Sequence, residues 1–195
     1  MAETKVTRRK KIRSVTYDTV LIAMFAALMA VCAWITVPSP IVGGVPFTLQ
    51  TFALFAAIGL LGTRRSFTAV LVYIVIGAIG VPVFSNFRGG FSVLIGTTGG
   101  YILGFLVSTI VSGFFIARFG KKVLPLAIGM ALGAIAYYIF GTAQYCLVWM
   151  HGGGEASVVA ALTKCVIPFL IPDALKIALA IVLTKALDGR VKIGK

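Results

Sequence analysis

Acidic side chains are scarce in this sequence. Five Asp and Glu stand against 18 Lys and Arg in 195 residues. All but Asp173 (that is, Glu3, Asp18, Glu155 and Asp188) fall at the ends of apolar runs or between them. That placement leaves no pair of carboxylates for acid–base chemistry and no proton-relay chain. Histidine occurs once, at His151, which excludes the two-histidine H-E-x-x-H zinc motif. Cys32, Cys146 and Cys165 form no C-x-x-C pair and lie in or beside apolar stretches, so they read as buried free thiols and not as a disulfide or metal site. No G-x-x-x-x-G-K-[ST] is present, which rules out nucleotide hydrolysis by a P-loop. "HGGGE" at 151–155 is similar to an esterase oxyanion loop, but no G-x-S-x-G nucleophile elbow accompanies it, and it reads as a flexible loop. No catalytic constellation is visible, and neither a cofactor nor a metal is expected.

Charge of either sign is also rare, at 12%, while apolar residues reach 59% and the mean hydropathy is +1.05. Soluble domains carry about a quarter charged residues, so this chain cannot cover a water-facing surface. It reads as an integral membrane protein. Continuous apolar runs argue for helices; a transmembrane barrel would show alternating segments of about ten residues. The expectation is an all-α bundle of six transmembrane helices in one domain covering 1–195. The spans are about 17–36, 47–62, 66–81, 98–117, 123–148 and 165–187, with outer loops at 37–46, 82–97 and 149–164. The first run follows "TRRKKIR" and is expected to be a retained helix, not a cleaved secretory signal.

With the N-terminus placed in the cytoplasm, every basic residue except Arg88, Lys164 and Lys176 falls on the inner side. That asymmetry follows the positive-inside rule and places both termini in the cytoplasm. The net charge of +13 then belongs to membrane edges facing anionic lipid. Nucleic-acid binding needs a basic folded face with stacking aromatics, and is rejected.

Two of the outer loops, "VPSPIVGGVPF" (37–47) and "VPVFSNFRGGFSVLIGTTGG" (81–100), are rich in Gly and Pro yet apolar. Two readings are open: lids over a cavity, or loops packed on the bundle and in lipid headgroups. Polar residues gather at the same depth: Thr48 and Gln50, Asn86 and Arg88, Tyr101, Gln144, and Asp173 with Lys176. The last two are spaced i, i+3, on one face of a helix. They form either a structural ion pair or part of a site; ionisable groups inside a membrane are functional candidates with a named partner. Pro168 and Pro172 make the entry to that helix irregular.

"VPFTLQTF" (45–52), "LIGTTGGYILGF" (94–105) and "FLIPDALK" (169–176) resemble segments of the BioY family, the biotin-binding S-components of energy-coupling factor (ECF) transporters. The resemblance runs through nearly the whole chain. It implies a prokaryotic plasma-membrane subunit that captures biotin from outside and docks on a transmembrane coupling protein with two ABC ATPases, which supply the energy. It further implies a docking face of small residues on the first helix, here Ala23 with Ala27 and Ala26 with Ala30; from the residues alone, ordinary helix packing is the other reading. For biotin, Asp173 is the expected acceptor of a ureido N–H, with Lys176 and Asn86 completing that end. Thr48, Gln50, Tyr101 and Gln144 are further candidates in the cavity. Arg88 either binds the carboxylate or braces its loop, and Phe47, Phe84 and Phe91 cover the bicycle. The alternatives are a solitary vitamin carrier, a small channel or a structural bundle.

Overall fold

The computed structural model describes residues 2–37, 45–151 and 158–188, with the side chains of 2–14, 158 and 160 outside that description. The central part of the first outer loop (38–44) and most of the "HGGGE" segment (152–155) therefore lie outside the described residues, as do the side chains of the basic residues in 5–13 and 190–195.

The apolar runs fold as helices, the one open-ended arrangement that satisfies every backbone polar group within its own segment. The first, α1 (Ala2–Trp34), has 33 residues, about 50 Å of helix. A short ribbon follows: β1 (Thr36–Val37) pairs antiparallel with β2 (Phe47–Thr48), Thr36 opposite Thr48 and Val37 opposite Phe47. An all-α chain carries no such element. It arises because backbone leaving α1 and entering the next helix must find partners; the Leu49 amide likewise donates to the Cys32 carbonyl at 3.1 Å.

Helix α2 (Gln50–Leu61) is apolar all round and almost wholly buried, the pattern of a central helix. It packs among α1, α3 and α8. A single residue, Gly62, separates it from α3 (Thr63–Ala78). Gly62 has φ 75 and donates its amide to Ile58 O at 3.1 Å, a left-handed turn that glycine adopts without steric cost. Residues 63–65, left between the expected spans 47–62 and 66–81, thus belong to α3. Arg65 sits in the first turn of α3 and pairs with Asp18 of α1 at 2.9 Å.

The 82–97 segment also contains structure: a 3-10 turn at Ser85–Phe87 and the short helix α4 (Phe91–Ile95). Helices α5 (Gly99–Phe119) and α6 (Val123–His151) then form a close hairpin. At Gly104 a Cβ would stand 2.9 Å from Tyr137 Cα, so glycine is what lets the two backbones meet there. Past the undescribed stretch come α7 (Val158–Cys165), a 3-10 turn at Ile167–Phe169, and α8 (Leu170–Leu187). Pro168 is the second residue of that turn, and Pro172 occupies the first turn of α8, where its missing N–H leaves no helical bond unmade.

Among the described residues, four helical stretches are long and apolar enough to cross a membrane: Val15–Trp34, Gly99–Phe119, Val123–His151 and Ala161–Leu187. The molecule is a mostly helical, multi-pass membrane protein. Large apolar side chains left uncovered on the outer faces, such as Phe114, Ile139 and Val182, suit hydrocarbon surroundings.

Candidate functional site

The break ahead of α8 places Asp173 in that helix's first turn, where the helix dipole favours a carboxylate. Asp173 is only 3% exposed and accepts four hydrogen bonds. Its Oδ1 receives Lys176 Nζ at 2.8 Å and Thr51 Oγ1 at 3.0 Å. Its Oδ2 receives the Tyr138 hydroxyl at 2.6 Å and the Tyr137 hydroxyl. A carboxylate has about four acceptor positions, so α2, α6 and α8 converge on one saturated group. Lys176, also buried, spends one ammonium N–H on Asp173 and has three.

Beside this cluster is a cavity whose polar lining comprises Thr48, Gln50, Thr51, Tyr137, Tyr138, Asp173 and Lys176, together with Ser85, Thr98 and Tyr101. Ile102, Phe105 and Phe169 supply apolar surface. A relay of hydroxyl and amide groups stiffens one side: Thr48 donates to Gln50 Oε1 at 3.1 Å, Gln50 Nε2 donates to the Tyr73 hydroxyl, and Tyr73 donates to Val83 O at 3.1 Å. Tyr101 meets the Thr142 hydroxyl at 3.4 Å. The polar lining can exchange several hydrogen bonds with a flat polar group, and the apolar lining can cover a ring. Among the described residues no cluster of three or more His, Cys, Asp or Glu side chains could hold a metal ion.

The structure thus brings Thr48, Gln50, Tyr101, Asp173 and Lys176 together. Phe47 joins them indirectly, stacked on Phe169 with ring centroids 4.2 Å apart. Five expected residues are placed elsewhere. Phe84 is fully buried in the bundle core, edge-on to Tyr73 at 5.5 Å, so its ring serves packing and covers no cavity. Phe91 is 65% exposed on α4. Gln144 donates to Leu94 O at 2.7 Å and Gly96 O at 2.9 Å, which fastens α4 to α6 outside the cavity. Asn86 and Arg88 are exposed on the turn, although Ser85, from the same turn, lines the cavity. Arg88 instead borders a neighbouring polar depression with Ser92, Thr97 and Thr98, and Thr98 is common to both hollows.

A family model described as the BioY family matches residues 3–193. The chain belongs to the BioY family. A Pyrococcus horikoshii protein named as a probable biotin transporter BioY is 35% identical over 169 residues, covering 87% of this chain and 94% of that one. Biotin transporter BioY2 of Lactococcus lactis is 32% identical over 171 residues, with 88% and 90% covered. A crystal structure of the S-component for biotin from an ECF-type ABC transporter superposes with a TM-score of 0.78 over 92% of each chain at 22% identity, which establishes a shared fold.

Within this BioY-family chain the small residues of α1 divide into two sets. Ala23 and Ala27 are exposed, whereas Ala26 and Ala30 are 5% and 7% exposed and belong to the core. The second pair is shifted from the first by three residues and so lies about 60° from it around the helix. Ala26 and Ala30 are therefore packing residues of the bundle and not part of an outward docking face. Gln50's neighbour Thr51, together with Tyr137 and Tyr138, completes the Asp173 cluster. The signal for these was slight: two adjacent tyrosines in an apolar span, whose hydroxyls need partners when buried.

Proposed function

We propose that this chain is the biotin-binding S-component of an ECF-type importer, and that biotin occupies the cavity beside Asp173. The observation that carries the reading is the buried Asp173–Lys176 pair with its ring of hydroxyls, set at the end of an apolar cavity in a BioY-family chain. Biotin carries a flat ureido group with two N–H donors and one carbonyl, an apolar bicycle and a carboxylate tail. A ureido N–H takes the place of one of the four donors now on Asp173, the hydroxyl oxygens around it present further acceptors, and Lys176 presents a donor to the ureido carbonyl. Charge-assisted bonds in a dry site are the strong ones. Phe105, Ile102 and the Phe47–Phe169 stack cover the bicycle. The tail leaves past Ser85 and Thr98, which brings its carboxylate toward Arg88, with Asn86 alongside.

In this reading α2 and α3 complete six crossings, both termini are cytoplasmic, and the cavity opens to the outer side. The coupling protein, which brings two ATPases, docks on the exposed Ala23–Ala27 face of α1, where small residues allow close helix approach. Equilibrium binding to the purified, ligand-stripped protein tests the proposal. Saturable one-to-one binding of biotin, with none of lipoic acid (a ring and tail without a ureido group), is the expected result. Equal binding of both compounds, or of neither, overturns it.

A further inference from the structure

At the end of α1, Trp34 makes two contacts with the chain that follows α3. Its indole Nε1 donates to the Pro82 carbonyl at 2.8 Å, and its ring stacks on Phe87 with centroids 5.2 Å apart and planes inclined by 22°. The next carbonyl, Val83 O, is held from the interior by the Tyr73 hydroxyl at 3.1 Å. Two successive carbonyls are therefore gripped by different helices. What they restrain is a turn of unfavourable backbone. Asn86 has φ 57 and Phe87 has φ 55, both left-handed, a region that asparagine tolerates and a bulky ring does not. Such conformations persist only where surrounding contacts over-determine them. The Phe84 amide donates to Arg88 O at 2.9 Å across the turn, and Ser85 at its start lines the ligand cavity.

We propose that Trp34 is a positioning residue for the ligand: it holds the 82–88 turn, and through it the Ser85 wall of the cavity, in the conformation that receives biotin. Trp34 itself is not among the residues lining the cavity. Tryptophans at membrane interfaces commonly leave their N–H among headgroups; here that donor is committed to a protein carbonyl, which makes Trp34 part of the loop's support. The inference rests on the biotin reading of the cavity for its consequence, but the pinning itself is measurable without ligand.

Two measurements on Trp34→Ala, Trp34→Phe and Phe87→Ala test it. The first is hydrogen exchange of the ligand-free protein. Exchange at the Phe84 and Arg88 amides should accelerate in Trp34→Ala and Phe87→Ala, with Trp34→Phe, which keeps a ring and loses the donor, lying between. The second is biotin titration. Trp34→Ala should weaken binding about tenfold, the combined scale of one hydrogen bond and one aromatic pair, and the double variant with Phe87→Ala should be no worse than the more affected single one. Unchanged exchange over 82–88 overturns the pinning even if biotin proves to be the wrong ligand. Accelerated exchange with biotin affinity within twofold of wild type overturns the positioning role. Failure of the wild type to bind biotin, with exchange accelerated in the variants, contradicts the biotin reading and leaves the pinning supported.

Discussion

At the residue scale, the weight of the site falls on Asp173, because one buried carboxylate collects donors from three helices. Breaking a buried ion pair strands the remaining charge, at a cost of about 3–5 kcal/mol. Lys176→Met should therefore lower the unfolding free energy by about that amount, toward the lower figure because Thr51, Tyr137 and Tyr138 still satisfy Asp173; thermal unfolding in detergent checks it. Tyr138→Phe removes one charge-assisted bond and should cost about 1.5–3 kcal/mol in the same assay. Asp173 and Lys176 were legible from the sequence because charges in an apolar run are conspicuous. Tyr137 and Tyr138 were not, since tyrosines are ordinary in apolar helices. Gln144, Phe84 and Phe91 were misplaced for a related reason. Position along a span gives depth, and depth says nothing about which way a side chain points.

At the element scale, the break between α7 and α8 was foreshadowed by Pro168 and Pro172, residues with a fixed backbone preference. The β1–β2 ribbon left no such trace, because two-residue pairing is decided by tertiary surroundings and not by propensity. The spans expected at 47–62 and 66–81 are parted by Gly62 alone, which makes the turn. The α5–α6 hairpin depends on close approach. At Gly141 a Cβ would lie 2.2 Å from Tyr101 Cδ1, in a ring that forms part of the cavity wall. Gly141→Ala should accordingly displace Tyr101 and destabilise the protein by about 1–3 kcal/mol through overpacking. A biotin affinity lowered by at least tenfold would accompany it, read by titration; an unaltered affinity would mean that Tyr101 lies off the ligand.

At the scale of the whole molecule, hydropathy identified a helical membrane protein, and the match over residues 3–193 places it in a family. Composition could not resolve how the two α1 alanine pairs divide, because four-residue spacing is the same for a buried stripe and an outward one. The division sets up a contrast. Ala27→Trp, on the exposed face, should abolish copurification with the proposed coupling protein and leave biotin binding intact. Ala26→Trp, pointing into the core at 5% exposure, should impair folding and reduce yield. Identical behaviour of the two variants would contradict the assignment of faces.

The most direct measurement is calorimetric titration of ligand-stripped protein with biotin, wild type against Asp173→Asn. The asparagine keeps the shape but loses the charge and half of the acceptor capacity, so the expected result is one-to-one binding in the wild type that weakens by about 1.5–3 kcal/mol or more in the variant. Equal affinities, in a variant shown to be folded, would remove Asp173 from the ligand and return its cluster to a purely structural role.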